Sequence, residues 1–272
     1  MAIEKYESLS EVLTADIDGS SMMHSYLVPL WVRHAEAIGS ENIIEILEGG
    51  LNRNIVFRQR TDIGEQHMVL RVPKSEEDRA VIFDAIQQEY DGIGATAHGI
   101  SFRLRSIDGQ AAFIDETRKN GLKTLPHMGV QEGVMMMPFI DGIALSNYVG
   151  QDVENVDPTV INNVLQHMTA AHNLGFIFGD RWTPNTIISS DGDFTEIDFD
   201  ISLVGDHKTV AAFELSQTLY HLLHFSGENR VWMVQQLSDF YHNNPDLMEL
   251  YDLAKIRTFM EGHTIYFRQK YE

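Results

Sequence analysis

Between His172 and Asp206 an apolar, strand-forming stretch is interrupted by Asp180, by Asn185 five positions on, and by Asp198 thirteen beyond that. An aspartate at a loop end can orient or deprotonate an attacking hydroxyl. An asparagine oxygen and a second carboxylate are hard oxygen ligands of the kind Mg²⁺ takes alongside nucleotide phosphates. These residues must converge to do such chemistry, and the intervening sequence offers the means. Thr186–Ile188, a turn at Asp191-Gly192 and Phe194–Ile197 predict a hairpin with Asn185 at its entry and Asp198 at its exit.

The stretch resembles the kinase-like phosphotransferase superfamily, closest to the aminoglycoside phosphotransferase and choline kinase-type branch. The catalytic loop there runs H-x-x-G-x-x-H-G-D-x-x-x-x-N and is followed by I-D-F/W. His172, Gly175, Gly179-Asp180, Asn185 and Ile197-Asp198-Phe199 carry the match. Phe178 departs from it, standing where the family has histidine, as does Asp200, standing where protein kinases have the glycine of Asp-Phe-Gly. The resemblance spans about residues 43–225. It implies an α+β bilobal protein-kinase-like fold with a strand-rich N-lobe and a helical C-lobe, ATP and Mg²⁺ as cofactors, Asp180 as catalytic group, and Asn185 and Asp198 as metal ligands.

Upstream, Ile43–Leu47, a Gly49-Gly50 turn, Ile55–Arg60 and His67–Val72 read as strands. Glycine lets backbone amides approach phosphate, so Gly49, Gly50 and Asn52 are candidates for the nucleotide-covering loop that the resemblance implies. Arg71 takes the place of the family's phosphate-binding lysine, with Lys74 as the competing candidate. Arginine can hold phosphate oxygens in a fork. A helix is predicted over Glu76–Tyr90, capped by Ser75, with acidic residues in its first turn. On it Glu89 is the candidate ion-pair partner of Arg71. Ile100–Arg105 and Ala111–Ile114 read as a strand pair around Asp108-Gly109, and Val134–Met137 as a strand leading into a linker. Met137 and Phe139 are the candidate adenine contacts.

Beyond the linker the pattern is helical. Asp157 caps a helix opened by Pro158 and leading to His172, a structural support for the loop, while His167 reads as a surface residue. Val210–His224, with Glu214 in the position of the family's loop-buttressing aspartate, Arg230–Tyr241 and a Pro245-led segment to Arg268 follow. Two short helices, Tyr6–Leu13 and Tyr26–Ala37, are expected in an N-terminal extension over residues 1–40. The N-lobe is expected over 41–137 and the helical C-lobe over 138–272.

The 272 residues include 20 basic and 40 acidic ones, a net charge of −20. Such a field repels nucleic acid and anionic membrane and draws cations. No cysteine occurs, which excludes disulfides and thiolate chemistry and agrees with a reducing cytoplasm. No apolar run is long enough to span a bilayer, and the N-terminus lacks a secretory pattern. The expectation is transfer of the ATP γ-phosphoryl group to a hydroxyl of a small cationic molecule. Asp239, Asp246, Glu249, Asp252 and Glu261 are the acidic residues of the region where the family receives such substrates. A protein hydroxyl, nucleotidyl transfer to a protein, and a nucleotide-binding pseudokinase scaffold are the alternatives. The sequence leaves oligomeric state open.

Overall fold

A computed structural model describes residues 38–61 and 64–271. The two helices expected in the N-terminal extension lie outside the described residues. In chain order the elements are β1 (Ile43–Glu48), β2 (Asn52–Thr61), β3 (Gly64–Pro73), α1 (Glu76–Ile93), β4 (Ser101–Leu104), α2 (Ile107–Lys119), β5 (Gly129–Gln131), β6 (Val134–Pro138), β7 (Ile143–Ala144), α3 (Leu145–Val149), α4 (Pro158–Asn173), β8 (Thr186–Ile188), β9 (Phe194–Glu196), β10 (Ile201–Val204), α5 (His207–Phe225), α6 (Arg230–Asn243) and α7 (Leu253–Tyr271). The fold is α+β, with a strand-rich N-terminal part and a helical C-terminal part.

The chain forms two compact units. The first holds the described residues up to Ile82 with His127–Phe139, and the second holds Phe83–Pro126 and everything from Ile140. The expected N-lobe, 41–137, is thus split, and hydrogen bonding accounts for the split. β4 pairs antiparallel with β10, while Leu125 donates to the carbonyl of Glu196 and Glu196 to that of Lys123. Residues 83–126 are thereby tied to the helical unit.

The first unit is a five-stranded antiparallel sheet in the order β1-β2-β3-β6-β5. Alternate residues Ile55, Phe57, Met68, Leu70 and Val72 pack with Val134 on one face, the period-2 pattern of a half-buried sheet. Each such side chain contributes about 1.5–3 kcal/mol by leaving water.

In the second unit α4 presents Val160, Ile161, Val164, Leu165 and Met168 at helical spacing to Leu215 and Leu222 of α5. Asp157 Oδ1 accepts from Thr159 N at 2.8 Å, with Pro158 opening the helix. Asp206 Oδ2 similarly accepts from Thr209 N at 3.1 Å to start α5. Ser75 Oγ caps α1 through Asp78 N at 3.1 Å.

Two elements differ from expectation. Residues 107–119 are helix α2, not the second strand of a hairpin. Ser106 caps it by accepting from Gly109 N at 3.1 Å, and Ile107, Ala111 and Ile114 bury one helical face. The Pro245-led segment is a 3₁₀ run, Pro245–Leu250. The long helix starts only after Asp252, whose Oδ1 accepts from Ala254 N and Lys255 N.

Candidate active site

The loop leaving α4 turns through Gly175 (φ +84°) and reaches Gly179 at φ +111°. A Cβ at Gly179 would run into the carbonyl of Ile201 on β10, so the residue before Asp180 must be glycine. The loop is held from α5. Glu214 Oε1 accepts from Gly179 N at 2.7 Å, and Oε2 accepts from Phe178 N at 3.3 Å. The same Oε2 lies 2.6 Å from His172 Nε2, and His172 Nδ1 lies 2.8 Å from the Tyr251 hydroxyl. Both histidine nitrogens are engaged in a buried network, so His172 supports the loop through Glu214.

One turn along α5, Gln217 Nε2 donates to Asp180 Oδ1 at 2.8 Å, and its Oε1 accepts from Arg181 N at 2.8 Å. Asn185 Nδ2 donates to the Asp180 carbonyl at 2.9 Å, so Asn185 presents its amide oxygen as the remaining functional atom. The predicted hairpin is present as β8 and β9, with Thr186 opposite Glu196. Ile197 N donates to the Asn185 carbonyl at 2.8 Å, which places Asp198 one residue from that bond. Arg181 locks the assembly. Its Nη1 meets Glu196 Oε2 at 2.7 Å, while Nη2 donates to the carbonyls of Ile197 and Asp198 at 3.0 Å each. Asp198 has φ +63°, a left-handed conformation that costs a non-glycine residue of order 1 kcal/mol and concentrates at functional positions.

The site is acidic. Burial first, and then the charge of Glu89, pushes Asp180 up to about 8. Burial likewise raises Glu89 to about 7 against the opposing pull of Lys270, whose Nζ is 3.8 Å away. Asp180 is therefore largely protonated at neutral pH, and a nearby cation would favour its ionised form. Among the described residues no three His, Asp or Glu side chains form a metal cage. Two oxygen donors, Asn185 and Asp198, with phosphate and water completing the shell, are the Mg²⁺ pattern rather than that of a closed structural site. The donor set fits the ion.

The other candidates lie in the first unit. Gly49 N donates to the Asn52 carbonyl at 3.1 Å across the β1–β2 turn, and a Cβ at Gly49 would sit 2.7 Å from that oxygen. Gly50 is exposed and Asn52 buried. Arg71 is buried, with Nε donating to Asn54 Oδ1 at 3.1 Å. Met137 is buried in β6, whereas Phe139 is exposed and bonds through its N–H to the His67 carbonyl at 3.0 Å. Arg71 and Glu89 fall in different units.

Sequence reasoning missed Gln217, Arg181 and Arg105. Gln217 lies three residues after Glu214 on the same helix face, a spacing that could have exposed it. Arg181 directly follows Asp180, a position at which a buried cation could have been sought. Arg105 donates to the carbonyls of Phe178, Phe199 and Ile201, and nothing local signals that role. His167 is not a surface residue. Its Nε2 accepts from Lys123 N at 2.8 Å, and its ring stacks on Phe178 at 5.6 Å, so Phe178 fills an aromatic niche. The terminal carboxylates serve local roles: Asp239 accepts from Gln235, Glu261 pairs with Arg257, and Asp252 caps α7.

No family model matches the chain, and no curated protein matches it in sequence. Among solved structures it is similar to the Rio2 kinase from Chaetomium thermophilum in its ADP/Mg²⁺-phosphoaspartate complex. The identity is 12%, with 91% of this chain and 76% of that chain covered and a TM-score of 0.45. Among the described residues no helix is long and apolar enough to cross a membrane.

Proposed function

We propose that the chain is an ATP- and Mg²⁺-dependent phosphotransferase of the kinase-like kind that moves a γ-phosphoryl group to a hydroxyl of a small cationic molecule. The observation that carries this reading is the network that joins the side chain of Asp180 to Gln217, its carbonyl to Asn185, and its neighbour Arg181 to the Asp198 carbonyl. Asp180 would orient the acceptor hydroxyl and receive its proton on the carboxylate oxygen that Gln217 leaves open. Asn185 and Asp198 would hold Mg²⁺, which supplies charge neutralisation for the transferring group when bound. Gly49, Gly50, Asn52, Arg71, Met137 and Phe139 would contribute to nucleotide binding. The net charge of −20 supports a cationic acceptor.

A second reading, a nucleotide-binding scaffold without transfer, draws on the protonation of Asp180 up to about pH 8. One experiment separates the two. Asp180→Asn should lower kcat for phosphoryl transfer by about a hundredfold or more while leaving nucleotide affinity within a few-fold. A wild type that binds nucleotide but transfers nothing to any hydroxyl compound or protein would favour the scaffold.

A further inference from the structure

The second unit contains a cavity of about 360 Å³ beside the residues leading into the catalytic loop, walled by Phe113, Phe176, Leu203 and Val210, with Arg105 and His207 as its basic members. Its volume falls within the range of small-molecule sites, roughly 300–1,000 Å³. Asp180, Asn185 and Asp198 do not line it.

Arg105 is the unusual member. Its Nη1 donates to the carbonyls of Phe178 at 3.3 Å, Phe199 at 2.9 Å and Ile201, and its Nη2 to that of Ile177 at 3.3 Å. The guanidinium carbon lies 4.1 Å from the centre of the Phe113 ring. All four acceptors are neutral. Glu214 and Asp200 act on Arg105 electrostatically, but neither carboxylate is bonded to it. Burial lowers Arg105 to about 10, so it stays charged at neutral pH. Carbonyls satisfy hydrogen bonds without supplying a counter-charge, and buried charges are ordinarily paired. The Nε–H has no acceptor among the described residues, which leaves a donor for a ligand.

We propose that this cavity binds a small organic carboxylate, with the anion on Arg105 and the apolar body against Phe113 and Phe176. A single guanidinium within apolar walls matches a monoanion carrying a hydrophobic group. The other polar side chains of the wall are Ser202 and His207, and His207 Nε2 is engaged with the His172 carbonyl at 2.8 Å, whereas a phosphate dianion is best held by several charged donors at once. The bonds from Arg105 to the carbonyls of Phe178 and Phe199, which flank Gly179-Asp180 and follow Asp198, connect an occupant of the cavity to both catalytic segments. The inference stands independently of phosphoryl transfer, because binding is read without nucleotide.

The test is calorimetric titration of the full chain with benzoate and with benzamide, its neutral counterpart. The wild type, Val204→Trp and Arg105→Met are compared. Val204 lines the cavity and is 38% exposed, so tryptophan there fills the space while Arg105 is retained. Benzoate should bind one to one at millimolar or better affinity, and benzamide about tenfold or more weaker. Both substitutions should reduce benzoate affinity about tenfold or more. Absence of benzoate binding to the wild type, equal binding of benzamide, or undiminished binding to Val204→Trp would each overturn the proposal. Should Arg105→Met fail to fold, Val204→Trp decides.

Discussion

The amide of Gln217 grips Asp180 and its neighbour at once, donating to Asp180 Oδ1 and accepting from Arg181 N, each at 2.8 Å. The second bond fixes which end of the amide faces Asp180, because only the oxygen can accept from Arg181. Gln217 is therefore a positioning residue for the carboxylate.

Gln217→Leu removes both bonds and leaves the Arg181 N–H buried without an acceptor, at a cost of about 1–3 kcal/mol in stability. With Asp180 free to rotate, kcat should fall about 10- to 100-fold while KM for ATP changes little. Steady-state kinetics beside a urea melt would check both. An equal rise in KM with kcat unchanged would place Gln217 in nucleotide binding instead.

Asp180 also governs stability against pH. Its folded pKa, about 8, stands above the ordinary carboxyl value of 3.8, so the native chain holds a proton that the unfolded chain has lost. Stability from this group is complete below about pH 4 and is lost as pH rises towards 8, with a slope approaching ~1.4 kcal/mol per pH unit. Asp180→Asn keeps an acceptor for Gln217 and carries no titratable charge. It should match the wild type near pH 4 and exceed it in melting temperature at pH 8 and above. A difference between the two that does not change with pH would refute the assignment.

The opposite slope comes from His221 and His263, packed between α5 and α7 at 1% and 0% exposure. None of their four ring nitrogens has a hydrogen-bond partner among the described residues. His221 lies 4.2 Å from Trp182, and His263 stacks on Tyr220 at 5.3 Å, measured between ring centres. Burial lowers both to about 3 from 6.5. The unfolded chain thus binds protons that the native chain refuses. The stability is present above about pH 6.5 and lost as pH falls towards 3, by up to ~1.4 kcal/mol per pH unit for each ring. His263→Phe should flatten the acid limb of a melting-temperature profile between pH 6 and pH 4, and an unchanged limb would contradict the account.

Legibility tracked how local the determinants were. The β8–β9 hairpin was readable because Asp191-Gly192 separates two short β-branched and aromatic runs, and α4 because Asp157-Pro158 precedes apolar residues at helical spacing. The same Asp-Gly signal misled at Asp108-Gly109, where the Ser106 cap and the spacing of Ile107, Ala111 and Ile114 prevail. The candidate residues Asp180, Asn185 and Asp198 stand out in the sequence by their residue types alone. Their supports do not. Arg105 reaches carbonyls more than seventy residues away, and Gln217 reaches Asp180 across 37 positions, contacts that only the folded chain defines.

The measurement closest to the central claim is the Mg²⁺-dependent shift in melting temperature caused by ATP, in the wild type and in Asp198→Asn. Asparagine tolerates the left-handed backbone at this position and removes the charge that would hold the ion. Ligand at about a hundred times its Kd stabilises the folded state by ~2.7 kcal/mol. The wild type should rise in melting temperature with ATP only when Mg²⁺ is present, and the variant should lose that rise. No shift in the wild type at millimolar ATP, or an equal shift in Asp198→Asn, would contradict the assignment of Asp198 to a metal–nucleotide site.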